Sequence, residues 1–144
     1  MTNSTIAAIS IALNREFGER YKNYVEEVKQ GFEKPCFFIS CIFLAQRLFL
    51  GERYLQENGF CIRYFPEDGG RAEEECNMVA GRLFCCMEWI KVGDSLVRGT
   101  GMRAETVDGI LNFFVDYDRI VRKVVDLDPM EELSEDVSVK KGRR

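Results

Sequence analysis

The chain of 144 residues contains no histidine. That removes the commonest general base, the Ser-His and Cys-His nucleophile pairs, and the usual nitrogen ligand for zinc. There is no Walker loop, no G-x-G-x-x-G dinucleotide unit and no G-x-S-x-G elbow. Cysteine is present six times, as Cys36, Cys41, Cys61, Cys76, Cys85 and Cys86, yet no C-x-x-C pair occurs. Each cysteine sits in an apolar run, where a free thiol behaves as a small hydrophobe. The N-terminus lacks a charged stretch followed by a long apolar one, and no apolar run approaches the length of a membrane span. These absences read as a cytoplasmic protein with reduced thiols and no membrane partner. Excess positive charge is also missing. The formal net charge is -4 and the pI is about 5.0, which makes a poor phosphate binder.

What is present is an ordinary globular balance. Aromatic residues make up 12% and charged residues 31%, enough to exclude disorder and to build a core without disulfides. Residues 1–133 read as a single α+β domain, and residues 134–144 as a flexible tail with few apolar side chains. Ser4 or Thr5 is expected to cap a first helix. Ile6, Ile9, Leu13 and Phe17 follow at helical spacing, and Gly18 stops it. "YKNYVEEV" is a short strand candidate, broken by "KQGFEKP". "CFFISCIFLAQRLFL" and "RYLQENGFCIRYF" form a long hairpin about Gly51. Residues 36–44 are apolar on both parities, so both faces there should be covered. A second helix, about 71–87, carries the stripe Ala72, Cys76, Val79, Ala80, Leu83 and Met87, with acidic residues in its first turn. "EWIKVGDS" gives a short extended piece and a turn. Together these predict an antiparallel or mixed sheet of long hairpins with two helices on one face.

"VDGILNFFVDYD" holds the strongest turn signal, Asp108-Gly109, which suits a two-residue type I′ hairpin. Counting outward pairs Ala104 with Phe113, Met102 with Val115 and Thr100 with Tyr117 on a core face. The other face sets Arg103 against Phe114, Gly101 against Asp116 and Gly99 against Asp118. Arg98 would then oppose Arg119, which is awkward unless the ladder ends sooner. Asp116 and Asp118 could be imagined as the carboxylates of a metal-dependent hydrolase. No further ligands converge on them, and an ion pair between Arg103 and Asp116 is the simpler account. No metal, cofactor or catalytic residue is expected. "RGTGMR" does not open a helix, as a phosphate loop must.

Strands of thirteen residues run about 40 Å, against a diameter of roughly 37 Å for a compact chain of this length. The hairpins should therefore cross the domain or project from it. Leu48, Phe49 and Leu50 at one tip mark an interface, unless a bulge folds the arm back. The expected subunit contacts are Leu48, Phe49, Leu50, Arg53, Tyr54, Arg98, Arg103, Asp116 and Asp118.

Four stretches resemble a family of phage tail terminator proteins from phages and prophages of Gram-positive bacteria. They are "EEVKQGFEKPCFFI" (Glu26–Ile39), "RYFPE" (Arg63–Glu67), "VRGTGMRAETVDGILNFFVDYD" (Val97–Asp118) and "PMEEL" (Pro129–Leu133). The resemblance implies a structural, non-enzymatic subunit that assembles in the host cytoplasm and then forms part of the particle. Its partners would be itself, in a hexameric ring, the tail tube protein, and sheath or neck proteins. DNA would at most pass through the ring. A neck or head–tail joining subunit of the same particle is the alternative. Headless tail-like bacteriocins use such terminators too.

Overall fold

The computed structural model describes residues 2–25 and 31–124. Along the chain come α1 (Thr2–Phe17), β1 (Lys22–Tyr24), β2 (Cys36–Leu50), β3 (Arg53–Phe65) and α2 (Ala72–Cys86). They are followed by β4 (Trp89–Val92), β5 (Ser95–Val107), β6 (Ile110–Tyr117) and β7 (Arg119–Arg122). The sheet order is β1-β2-β3-β6-β5-β4, and β7 adds to β3. β1 runs parallel to β2, and every other pairing is antiparallel. The fold is α+β with a mixed sheet, and both helices pack on one face. The expected tail at 134–144 lies outside the described residues.

α1 begins at Thr2, not after a cap at Ser4 or Thr5. Thr5 lies one turn ahead of Ile9 on the buried stripe, which continues through Leu13 and Phe17, so packing claims it for the helix. Gly18 ends α1 with φ +89, and its amide donates to the Asn14 carbonyl at 2.9 Å. Few residues but glycine adopt that conformation cheaply. Arg82 of α2 ties the two helices together. Its guanidinium donates to the carbonyl of Glu16 at 2.6 Å and stacks over Phe17 at 4.3 Å.

The core is one layer between helices and sheet. Phe37 and Ile39 of β2, Phe60, Ile62 and Tyr64 of β3, and Leu111, Phe113, Val115 and Tyr117 of β6 alternate inward. They meet Ile9, Leu13 and Phe17 of α1 and Cys76, Val79 and Leu83 of α2. Each such aliphatic or phenyl group contributes about 1.5–3 kcal/mol by leaving water. The start of β2 is covered on its second face as well. Phe38 packs there with Tyr24, Phe32 and Phe65, and Cys61 is buried beside it on β3. Cover on both faces stops at Ile39, short of the expected residue 44: Ser40 is exposed, Cys41 still packs partly against the core, and every residue after it is exposed.

The β5–β6 hairpin turns at Asp108 (φ 53) and Gly109 (φ 77), and its register holds from Val107↔Ile110 to Arg103↔Phe114. It then slips by one residue. Thr100 pairs with Asp116 and Gly99 with Tyr117, so the expected pairings of Met102, Gly101, Thr100 and Gly99 are displaced. The cause is a bulge at Gly101, which sits at φ +59. The extra residue inverts the alternation. Met102 and Ala104 face the core beyond the bulge, whereas Val97 and Gly99 face it before. The inversion brings Gly99 against the end of α2, where its amide donates to the Glu88 carbonyl at 2.7 Å. The Tyr117 hydroxyl donates to the Met87 carbonyl at 2.6 Å beside it.

A Cβ on Gly99 would lie 2.5 Å from that Met87 oxygen, with Val115 and Tyr117 closing the other sides. Gly99→Ala is therefore expected to destabilise the protein by about 1–3 kcal/mol in urea unfolding, the usual cost of overpacking. Gly69→Ala, which faces open space, should stay within about 0.5 kcal/mol.

Candidate functional site

From Ile42 onward every residue of β2 is exposed. Ile42, Phe43, Leu44, Leu48, Phe49 and Leu50 stand between 44% and 66% exposed, so the outer half of the strand is an apolar surface open to a partner. It is held as an arm by β3 and, on the far side of β3, by β7, which pairs from Arg53↔Arg122 to Gln56↔Arg119. Gly51 makes the tip turn at φ +58. Polar groups rim the arm. Arg122 bonds Glu52 at 2.9 Å, Gln56 bonds Gln46 at 2.9 Å, and Lys123 lies over the Tyr54 ring at 5.2 Å. Bulges at Ile42 and Phe49 twist the arm without folding it back. Leu48, Phe49, Leu50, Arg53 and Tyr54 are thus brought together at one tip.

Arg98 is not with them. The β5–β6 ladder ends at Gly99, so Arg98 never meets Arg119. It pairs across β4 with Trp89 instead, lies over that ring at 5.6 Å and bonds Glu88 at 3.3 Å. Trp89 and Leu96 there line an open groove of about 420 Å³ with Ile11, Arg15 and Cys85. Cys85 is exposed, not packed, because it falls off the Cys76, Val79 and Leu83 stripe.

Asp116 and Asp118 lie on the sheet side opposite the helices. Asp116 alternates with the core residues Val115 and Tyr117, and its carboxylate sits over Gly101, 2.9 Å from where a Cβ would be. The expected ion pair with Arg103 does not form. Arg103 lies flat on Phe114 at 4.1 Å, and its charge favours the ionised Asp116 only from a distance. Glu57, brought across from β3, adds a third negative charge. Burial, then Glu57, holds the Asp116 pKa above the usual carboxylate range. Asp118 is raised by burial and by both acidic neighbours, while a backbone hydrogen bond from Asn58 and the charge of Arg47 oppose the shift. One Asp118 oxygen is buried without a hydrogen-bond partner. Among the described residues no group of three or more cysteine, aspartate or glutamate side chains is placed to hold a metal.

Sequence reasoning missed Glu57 and Arg47. Both belong to a polar stretch of β3 or to the arm, and only the non-local β3–β6 pairing carries Glu57 to Asp116. The thiols differ among themselves. Burial pushes Cys36 up to about 11 and Cys86 up to about 12, so both stay protonated at neutral pH.

Among the described residues, the exposed apolar arm rimmed by polar groups is the kind of surface that an assembly subunit carries. The chain belongs to the phage tail terminator family, whose model, described as "Phage tail terminator protein", matches residues 4–129. It is a structural protein of the phage tail that contacts other tail proteins and forms part of the virion. None of the curated proteins matches it. One solved chain aligns over 84% of this protein and 97% of its own length, at 13% identity and a TM-score of 0.38, a likeness too slight to carry an argument. No helix among the described residues is long and apolar enough to cross a membrane.

The raised carboxylates have a consequence for pH. A carboxylate whose folded pKa lies above its unfolded value binds its proton more readily in the fold, so ionisation near neutral pH costs stability and acidification recovers it. The isolated subunit carrying Asp116→Asn and Asp118→Asn should melt a few degrees above wild type at pH 7. The gap should close as the pH falls toward about 4, the unfolded carboxylate pKa. Thermal melts of both proteins across that range check it.

Proposed function

We propose that the protein caps the head-proximal end of the tail tube as a closed ring of six copies. The ring stops tube polymerisation and offers the joining surface for the neck or head, and in contractile tails it holds the end of the sheath. Assembly takes place in the bacterial host cytoplasm, with residues 1–133 acting as one domain. The observation that carries this reading is the exposed outer half of β2 in a chain of the terminator family. Six large apolar side chains standing roughly half exposed offer on the order of 600 Å² divided between the two faces of the arm, against about 800 Å² for one side of a standard interface. Leu48, Phe49, Leu50, Arg53 and Tyr54 supply the tip of the contact. Arg98, Arg103, Asp116 and Asp118 lie on further faces that neighbours cover. An interface between different surfaces of identical subunits closes into a ring when its rotation allows. The net charge of -4 suits a conduit, because an acidic lining repels phosphates and lets DNA pass without sticking.

Light scattering and negative-stain imaging of the purified protein, alone and mixed with tail tube protein, test the reading. Rings and capped tubes are the expected outcome. A strict monomer that leaves tubes uncapped would end it, and binding to portal complexes instead of tube ends would move the protein to the neck. Leu48→Asp with Phe49→Asp should abolish rings while changing subunit stability by no more than about 0.5 kcal/mol, since both side chains are exposed. The protein acts without turnover. Asp116→Ala with Asp118→Ala should alter assembly or solubility, and stoichiometric Mg²⁺ or Mn²⁺ lost in that variant would speak for an enzyme instead.

A further inference from the structure

Both sides of the sheet end in a long strand that is only partly covered. β2 has 15 residues, and β1 pairs with Cys36, Phe37 and Phe38 alone. β5 has 13 residues, and β4 pairs with Ser95 to Arg98 alone. Among the described residues, the outer edge of β2 from Ile39 to Leu50 has no strand beside it, and neither has that of β5 from Gly99 to Val107. Such an edge presents a row of backbone donors and acceptors. Natural proteins usually blunt it with lysine, proline or a covering element. Along the open β2 edge the one charged residue is Arg47. From Cys36 to Gln46 it carries no charged residue, no proline and no glycine. Its two bulges, at Ile42 and Phe49, add twist and interrupt the row, and between them Phe43 to Leu48 keeps a regular register with β3.

We propose that the open β2 edge pairs with the open β5 edge of a second copy, so that one sheet continues from subunit to subunit. The inference rests on the ring reading above and specifies its contact. Strand direction supports it. Between the two edges the order is β2-β3-β6-β5, and each neighbouring pair is antiparallel. β2 and β5 therefore run in opposite directions. Copies related by rotation about an axis along the strands keep those directions, so β2 meets β5 antiparallel at every junction. The backbone of β5 is ready for it. Counting from the two-residue turn, Val107, Glu105 and Arg103 exchange hydrogen bonds with β6, while Thr106 and Ala104 aim their amides and carbonyls outward. A β2-to-β2 contact would be isologous. It would stop at a dimer and leave the β5 edges bare.

Two variants of the full-length protein test the pairing by native mass spectrometry. Ile42→Lys with Leu44→Lys places charge on the β2 edge at exposed positions, and Thr106→Pro removes an outward donor from β5, and the Thr106 hydroxyl's bond to Cys76, while sparing the hydrogen bonds to β6. Each alone should lose the ring and remain a soluble monomer. Mixed in equal amounts they should form a one-to-one pair and nothing larger, because one intact edge of each kind remains. Hydrogen exchange on the wild-type protein gives an independent reading. Amides within 39–50 and 101–107 should slow by about tenfold or more in the ring relative to the dissociated subunit. Rings from either variant, failure of the mixture to pair, a Thr106→Pro homodimer, or unchanged exchange at these edges would each overturn the inference. If wild type still forms rings in those cases, the ring reading stands. If wild type stays monomeric even at tube ends, both fall.

Discussion

The long antiparallel ladder between β2 and β3 is the interaction on which the other elements depend. β1 adds to the start of β2, and β6 and then β7 add to the far side of β3. The inner half of the ladder is anchored by Phe37, Ile39, Phe60, Ile62 and Tyr64 beneath the helices. The outer half makes the same backbone bonds but buries little. The change from one to the other falls at Gly59, where the Phe43 ring lies in the space a Cβ would need. A two-stranded ribbon alone is marginal in water. Continuity with the buried half, and a third strand in β7, let the arm stand out from the domain.

A second junction decides how the hairpins share the sheet. Asn58 is buried where β6 stops and β7 starts, and its side-chain amide donates to the Tyr117 carbonyl at 3.0 Å. Tyr117 in turn donates to Met87 at the end of α2, and Gly99 comes within reach of the same turn. The Asn58 amide, the Tyr117 hydroxyl and the Gly99 amide thus find partners where the ladders break, while one oxygen of Asp118 at the same break does not. The bulge at Gly101 is what allows β5 to serve both β6 and β4. It also seats the Asp116 carboxylate above a residue with no side chain, near Glu57 and Asp118. Three carboxylates on one face of a sheet, two of them reluctant to ionise, are costly for an isolated subunit. A neighbour or tube surface bringing cations would relieve that cost, and this fits a protein whose work is done by contact.

Much of the architecture was legible because it is local. The helical stripes, the Gly18 stop, the Asp108-Gly109 turn and the hairpin about Gly51 follow from spacing and from the few residues that tolerate positive φ. The apolar tip at Leu48, Phe49 and Leu50 could be read from strand length alone, since strands of that size outrun a domain of this mass. With no histidine and no ligand set converging on Asp116 and Asp118, the sequence offers no catalytic motif, and the stretches around "VDGILNFFVDYD" carry the resemblance to the family.

The tertiary structure decided what depends on residues far apart in the chain. Pairing of β3 with β6 brought Glu57 to Asp116. The bulge at Gly101 shifts the register by one, puts Gly99 against the end of α2 and leaves Arg98 opposite Trp89 instead of Arg119. A hairpin count from its turn cannot foresee such a slip, because the slip goes with the contact of Gly99 to the end of α2, which lies outside both strands. The same limit applies to the edges. Sequence marks a strand as apolar, but only the order of strands shows that β2 and β5 are left uncovered and run in opposite directions.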